Sequence, residues 1–296
     1  MAEYDRFAFD GEREPNLSRL PTSARKAGVE KNMKAEYIAR TQKNLARIAA
    51  LQDALYAEGR EGLVVVLQAM DAAGKDSTVK HVVGAVNPQG VRVTSFKQPG
   101  KEELAHDFLW RAARALPARG GIAIFNRSYY EDVLVVKVHQ LQRTYQMADR
   151  VLEDEDFFKK RYRHIRRFEE YLYDNSYRVV KIFLHLSKDE QKKRFLERID
   201  DAAKNWKFSA SDLAERAHWD EYQQAYQDAI SATASRQAPW YVVPADQKWY
   251  ARYLISQILA DTLEDMSPAY PALSAGEKAH LKECKASLLA EEEQED

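Results

Sequence analysis

Residues 63–67, Leu-Val-Val-Val-Leu, form an apolar run too short for a helix and without a polar residue on either alternating face. A strand built this way needs cover on both sides, which is the situation of a strand inside a parallel sheet. Further short apolar runs follow at 91–96, 121–125, 178–186 and 240–243. Helical periodicity fills the intervals. Ala35, Ile38, Leu45, Ile48, Leu51 and Leu55 recur at spacings of three, four and seven before the first strand. Later helices are expected over 75–86, 101–115, 157–174, 214–232 and 247–263, the last with Asp246 as its cap. Strands separated by helices predict an α/β fold, with a mostly parallel sheet between two helical layers.

No proline- or glycine-rich linker interrupts residues 31–263, so one domain is expected, flanked by an irregular arm over 1–30 and an acidic, frayed tail over 266–296. With 45% apolar and 31% charged residues the chain can bury a sizeable core. Its net charge of −1 provides no overall attraction to nucleic acid or to a membrane surface. A polyanion would have to be held by local basic patches. The single cysteine, Cys284, excludes an intrachain disulfide and a thiol-rich metal site. Residues 1–20 carry acidic side chains without the apolar segment of a secretory signal, and no run reaches membrane-spanning length. These features predict a cytoplasmic protein that engages neither nucleic acid nor membrane.

The first strand runs into Ala69-Met70-Asp71-Ala72-Ala73-Gly74-Lys75-Asp76-Ser77-Thr78. This is close to the phosphate loop G-x-x-x-x-G-K-[ST], the Walker A pattern, with Ala69 in place of the first glycine and Asp76 in place of the hydroxyl residue. Backbone amides in such a turn, together with the start of the next helix, make a concavity for phosphate, and Lys75 adds a mobile positive charge. The ordinary alternative is an αβ turn with a solvated lysine. Asp71 discriminates further. A carboxylate inside a phosphate-binding turn repels its own ligand at a few ångströms, unless a divalent cation lies between them. Asp76, Ser77 and Thr78 either support that ion or simply favour the start of a helix.

The third strand ends in Asn126-Arg127-Ser128, where phosphate-loop proteins carry the acidic residue that supports magnesium. Asn126 offers a carbonyl oxygen without charge, and Arg127 a planar fork suited to phosphate oxygens. Glu131 either orients Arg127 or approaches the metal. On the expected helix over 157–174, Lys159, Arg163, Arg166 and Arg167 lie opposite an apolar stripe, as a solvated face or as a cationic wall. Residues 188–213 are rich in bases and follow a core strand directly, as a lid that delivers charge and expels water does. Within them Trp206 and Phe208 either stack on a base or anchor the lid. No histidine pair has metal-ligand spacing, and no nucleophile elbow is present.

Taken together, VVLQAMDAAGKDSTVKHV, GVRVTSFKQP, IAIFNRSYYEDVLVVKVH, YRHIRRFE, KIFLHLSKDEQKKRFLERIDD, WKFSASDL and APWYVVPADQKWYARYLIS resemble the polyphosphate kinase 2 family over about residues 35–265. The resemblance implies a P-loop kinase-like three-layer α/β/α fold with a helical lid. It implies direct phosphoryl transfer from inorganic polyphosphate to adenine or guanine nucleotides, with Mg²⁺ as cofactor and Mn²⁺ as a substitute. Ala72, Ala73, Gly74, Lys75, Asp76 and Ser77 become the phosphate cradle, and Lys75, Arg127 and Asp71 the catalytic group. Asp71, Asn126 and Glu131 are assigned to the metal, while Arg163, Arg167, Lys192, Lys193 and Arg198 are assigned to the polyphosphate channel. Asn126 departs from the commoner Asp-Arg-Ser motif and resembles the subgroup that accepts both nucleoside mono- and diphosphates. Relatives also imply a homodimer or homotetramer. The residues alone leave two rivals: an ATP-dependent nucleoside monophosphate kinase, and a non-enzymatic nucleotide- or polyphosphate-binding protein.

Overall fold

The computed structural model describes residues 2–84 and 86–292. Its helices are α1 (Lys34–Glu58), α2 (Lys75–Thr78), α3 (Lys101–Leu104), α4 (Trp110–Arg114), α5 (Val135–Val138), α6 (Asp149–Leu152), α7 (Phe157–Asp174), α8 (Lys188–Asp200), α9 (Ala210–Ala217), α10 (Trp219–Thr233), α11 (Lys248–Met266) and α12 (Ala275–Glu292). Its strands are β1 (Ala8–Phe9), β2 (Gly62–Gln68), β3 (Val91–Ser95), β4 (Ile122–Asn126), β5 (Tyr177–His185) and β6 (Trp240–Pro244). They form one sheet in the order β1-β6-β5-β2-β4-β3, parallel except for β1.

β2 lies at the centre, and all seven of its residues are buried. Val65 pairs with Ile124 on one side and Val180 on the other. Strand alternation then divides the core in two. Leu63, Val65 and Leu67 join Ile182 and Leu184 under α1 and α11. Val64 and Val66 join Phe125, Phe183 and Val242 under α7 and α10. The three-layer α/β/α arrangement expected from the sequence follows. The chain leaves β2 toward β3 and β4 on one side and returns to β5 and β6 on the other. The crevice beyond the carboxyl end of β2 is therefore the switch point where ligands bind in such sheets.

Several elements differ from the sequence reading for local reasons. The helix expected over 75–86 is α-helical only to Thr78 and widens to a π-turn over Val79–Val83, where β-branched residues crowd the chain. The helix expected over 101–115 breaks in two, because the Asp107 carboxylate accepts the Leu109 amide in a local turn. The helix expected over 214–232 begins earlier and is divided at His218. Asp246 does not cap α11; Gln247 precedes that helix without a side-chain bond. The Asp246 carboxylate instead accepts the Ser187 amide at 2.8 Å and the Thr22 hydroxyl at 2.9 Å. The arm contributes β1, and Phe7, Phe9 and Leu17 are buried against the body. The tail is helical over α12 rather than frayed along its described length. No helix among the described residues is long and apolar enough to cross a membrane.

Candidate active site

At the end of β2 the chain turns through Ala72 and Gly74, both left-handed at φ 60° and 108°. Glycine takes that conformation freely; Ala72 requires support from outside. The support comes from α8. Gln191 donates to the Asp71 carbonyl at 3.0 Å, and Arg194 donates to the carbonyls of Ala72 and Ala73 at 3.0 and 2.8 Å. Arg194 also reaches the Ala245 and Asp246 carbonyls at 2.7 and 2.9 Å. Because peptides are planar and trans, carbonyls held toward α8 turn the amides that follow them to the opposite side, as a phosphate cradle needs. Neither Gln191 nor Arg194 stood out in the sequence. Their spacing of three on an expected helical segment puts them on one face, but nothing in it says that the face meets the loop.

Lys75 begins α2 and folds its ammonium back to the Ala69 carbonyl at 2.7 Å. Burial, reinforced by repulsion from Arg127, pushes its pKa down to about 8. Arg127 lies just past β4 with φ 62°, pinned by its own amide to the Leu67 carbonyl at 3.0 Å. Its guanidinium donates to Asp71 at 2.9 Å and stands 3.8 Å from Glu131. Glu131 foremost, with Asp71, holds that guanidinium protonated. Burial raises Glu131 above the usual carboxylate range against the pull of Arg127 and Lys75. Asn126 donates to Asp76 at 2.7 Å, so the departure at the end of β4 meets one of the two departures in the phosphate loop. The Ser77 hydroxyl accepts from Arg252 at 2.8 Å.

Beneath this group lies a buried polar network. Ser128 accepts the Tyr130 amide and a Gln68 side-chain bond, both at 3.1 Å. The hydroxyls of Tyr129 and Tyr130 each donate to Glu169 at 2.9 Å, and Lys181 meets the other Glu169 oxygen at 2.5 Å. The Arg127 turn therefore rests on side chains from α7 and β5.

The cleft above the loop has a volume of about 820 Å³. Loop residues 71–72 and 74–77 line it together with Asn126, Arg127 and Arg198. Lys97, Lys204, Lys207 and Lys248 also line it, none of them singled out in the sequence, and so does Trp206. Ala73 is buried behind the loop surface, and Glu131 stands behind Arg127 rather than on the cleft wall. Arg198 pairs with Asp212 at 3.4 Å. Lys192 and Lys193 border a separate shallow recess on the outer side of α8, with Lys193 close to Glu190 and Glu197. Arg163 and Arg167 are exposed on α7 and are not among the residues of the cleft wall.

The donor set can be weighed against a metal. Among the described residues no group of three or more His, Cys, Asp or Glu side chains is arranged to hold an ion. The cleft carries separated carboxylates, Asp71 and Asp76, beside a phosphate-binding turn. This fits a hard cation that takes one or two carboxylates and completes its shell with water and substrate phosphate.

The family model for Polyphosphate kinase 2 matches residues 31–271. The chain is 49% identical over 251 residues to an ADP-polyphosphate phosphotransferase of Rhodopseudomonas palustris, covering 84% of this chain and 86% of the relative. It is 50% identical over 225 residues to an AMP/ADP-polyphosphate phosphotransferase of Meiothermus ruber, covering 76% and 80%. The crystal structure of polyphosphate kinase 2 from Arthrobacter aurescens superposes with a TM-score of 0.84 at 41% identity, covering 96% of this chain and 97% of that one. With the family's sheet, its phosphate loop and its sequence along most of its length, the chain belongs to the polyphosphate kinase 2 family.

Proposed function

We propose that this protein transfers the terminal phosphoryl group of inorganic polyphosphate to ADP and to AMP, reversibly. The observation that carries this reading is the cleft itself, where a phosphate loop and Arg127 face a wall of lysines and arginines across a volume of about 820 Å³. A terminal phosphate oxygen of the nucleotide attacks the end phosphorus of the chain in line. The new P–O bond forms as the bond to the bridging oxygen breaks, and the shortened polyphosphate leaves with that electron pair. No protein nucleophile is needed, because a nucleotide phosphate is already ionised near neutral pH. Lys75 and Arg127 stabilise charge on the transferring group. Asp71 and Asp76, with Asn126 bonded to Asp76 and Glu131 bracing Arg127 rather than facing the cleft, would hold Mg²⁺ or Mn²⁺, which would neutralise phosphate charge and align donor and acceptor. The basic residues of the lid region, Arg198 foremost, steady the rest of the chain.

Acceptance of AMP as well as ADP is supported by Asn126. Lacking charge, it repels an additional phosphate less than aspartate at that position. A chromatographic time course from AMP, Mg²⁺ and polyphosphate, free of adenylate kinase and without ATP, should show ADP and then ATP. Persistence of AMP while ADP is consumed would restrict the enzyme to diphosphates. Transfer from ATP but never from polyphosphate would overturn the whole reading.

A further inference from the structure

α9 carries Asp212 and Arg216 one turn apart, so both side chains leave the same face of the helix. Asp212 reaches the cleft, where it pairs with Arg198 at 3.4 Å. Arg216 reaches α8 instead, donating to the Gln191 side-chain oxygen and to the Lys188 carbonyl, each at 2.8 Å. Gln191 is buried, and its amide nitrogen donates to the Asp71 carbonyl at 3.0 Å. One side-chain amide therefore joins α9 to the phosphate loop, its oxygen taken by Arg216 and its nitrogen by the loop. The carbonyl it holds belongs to the peptide just before Ala72, the residue kept at φ 60°. α9 also has a separate tie to the body, because Glu215 accepts from the Tyr222 hydroxyl and meets His139 Nε2 at 2.9 Å. Loss of Arg216 would thus leave the helix attached.

We propose that Arg216 is a positioning residue for phosphate binding: it fixes the Gln191 amide and so makes the shape of the phosphate loop depend on the docking of α9. The assignment rests on the proposed phosphoryl transfer and adds to it a link between two walls of the cleft. The chemistry of the donors favours it. A primary amide can turn over and present either its oxygen or its nitrogen to a neighbour. A guanidinium offers donors only, so Arg216 holds the amide oxygen on the α9 side and the nitrogen is left facing Asp71. A hydrogen bond accepted from a charged donor also strengthens the one that the amide donates. Turned over, the amide would set its oxygen against the Asp71 carbonyl, and the peptide leading into Ala72 would lose its support. The same helix presents Asp212, the partner of Arg198, to the cleft. A loop shaped in this way grips phosphate when α9 is docked and the cleft is assembled, and loosens its hold when α9 leaves.

Calorimetric titration of tripolyphosphate, without an acceptor and therefore without turnover, tests the assignment on the full chain. Arg216→Met and Gln191→Leu should each weaken binding about tenfold, with unchanged circular dichroism. The double variant should also lose about tenfold rather than about a hundredfold, because both residues act through one amide. Gln191→Glu is the sharper variant. It keeps an acceptor for Arg216 but has no donor for the Asp71 carbonyl, so it should weaken binding as much as Gln191→Leu while α9 stays docked. Arg216→Lys retains a charged donor and should recover part of the loss, which keeps the proposal testable if the buried Gln191 variants fold poorly. Unaltered affinity in folded Arg216→Met, additive losses in the double variant, or wild-type affinity in Gln191→Glu would overturn the link. Failure of the proposed function has a different signature: the coupling appears in tripolyphosphate affinity, yet wild type transfers no phosphoryl group from polyphosphate to a nucleotide.

Discussion

Lys75 is held by its own loop before any phosphate arrives, with its ammonium on the Ala69 carbonyl and Arg127 nearby. Burial and that neighbouring charge bring its pKa down from 10.5 to about 8. The free enzyme therefore loses this charge as pH rises through 8, and kcat/KM for polyphosphate should fall along an alkaline limb there. Lys75→Arg keeps its charge in that range and should shift the limb upward, even though it lowers the maximum. A limb unchanged by the substitution would assign the ionisation to another group. Stability moves in the opposite direction. Between pH 8 and 10.5 the unfolded chain binds the proton that the folded chain has released, so this lysine's burial penalises the folded state less as pH rises. Lys75→Ala should reduce kcat by about 10²–10³-fold with the far-ultraviolet circular dichroism of wild type, because the side chain serves charge rather than core packing.

Three elements hold the site from below. α8 was expected to be part of a lid from its first residue, yet Arg194 is buried and ties that helix to carbonyls of the phosphate loop and of the segment after β6. Arg194 therefore anchors the first part of α8 to the loop, and a lid in this region would begin beyond it, near Arg198. Arg194→Met leaves several buried carbonyls without a donor and should cost about 3 kcal/mol, read from the urea midpoint, along with a rise in KM for polyphosphate. Loss of stability without any kinetic change would separate α8 from the loop's function. α7 and β5 act through Glu169 and Lys181, which are both fully buried. Lys181→Met strands a buried carboxylate and should cost about 3–5 kcal/mol. Adding Glu169→Gln keeps an acceptor for Tyr129 and Tyr130 while removing the stranded charge, so the double variant should recover most of that loss. A double variant no more stable than Lys181→Met would rule out charge stranding as the cause.

Across the whole molecule, the N-terminal arm completes the sheet. β1 covers the exposed edge of β6, and Phe7 and Phe9 enter the two cores on opposite faces of the sheet. Removing residues 1–30 would open a strand edge and uncover the apolar surface that both rings cover. The truncated protein should melt several degrees lower and associate with itself, measurable by thermal scanning and by light scattering. Monodisperse protein with the wild-type melting temperature would show that the arm is an accessory to the fold.

The alternating apolar runs were enough to determine the layered α/β architecture, because β2 has no polar face and must be covered twice. The phosphate loop, Arg127 and Asp71 were legible for a related reason: chemistry at the ends of β2 and β4 is written in contiguous residues, and parallel pairing brings those ends together. The helix interruption at Asp107 depended on a side-chain bond that periodicity does not record. Tertiary structure alone decided which cations face the cleft. Lys97 arrives from the segment after β3 and Lys248 from the start of α11, whereas Arg163, Arg167, Lys192 and Lys193, equally basic in sequence, face elsewhere. It also decided that Arg194 is structural and that Asp132 is buried, with Arg161 and Arg111 drawn toward its charge. Both facts depend on packing between segments far apart in the chain, and neighbouring residues carry no information about that packing.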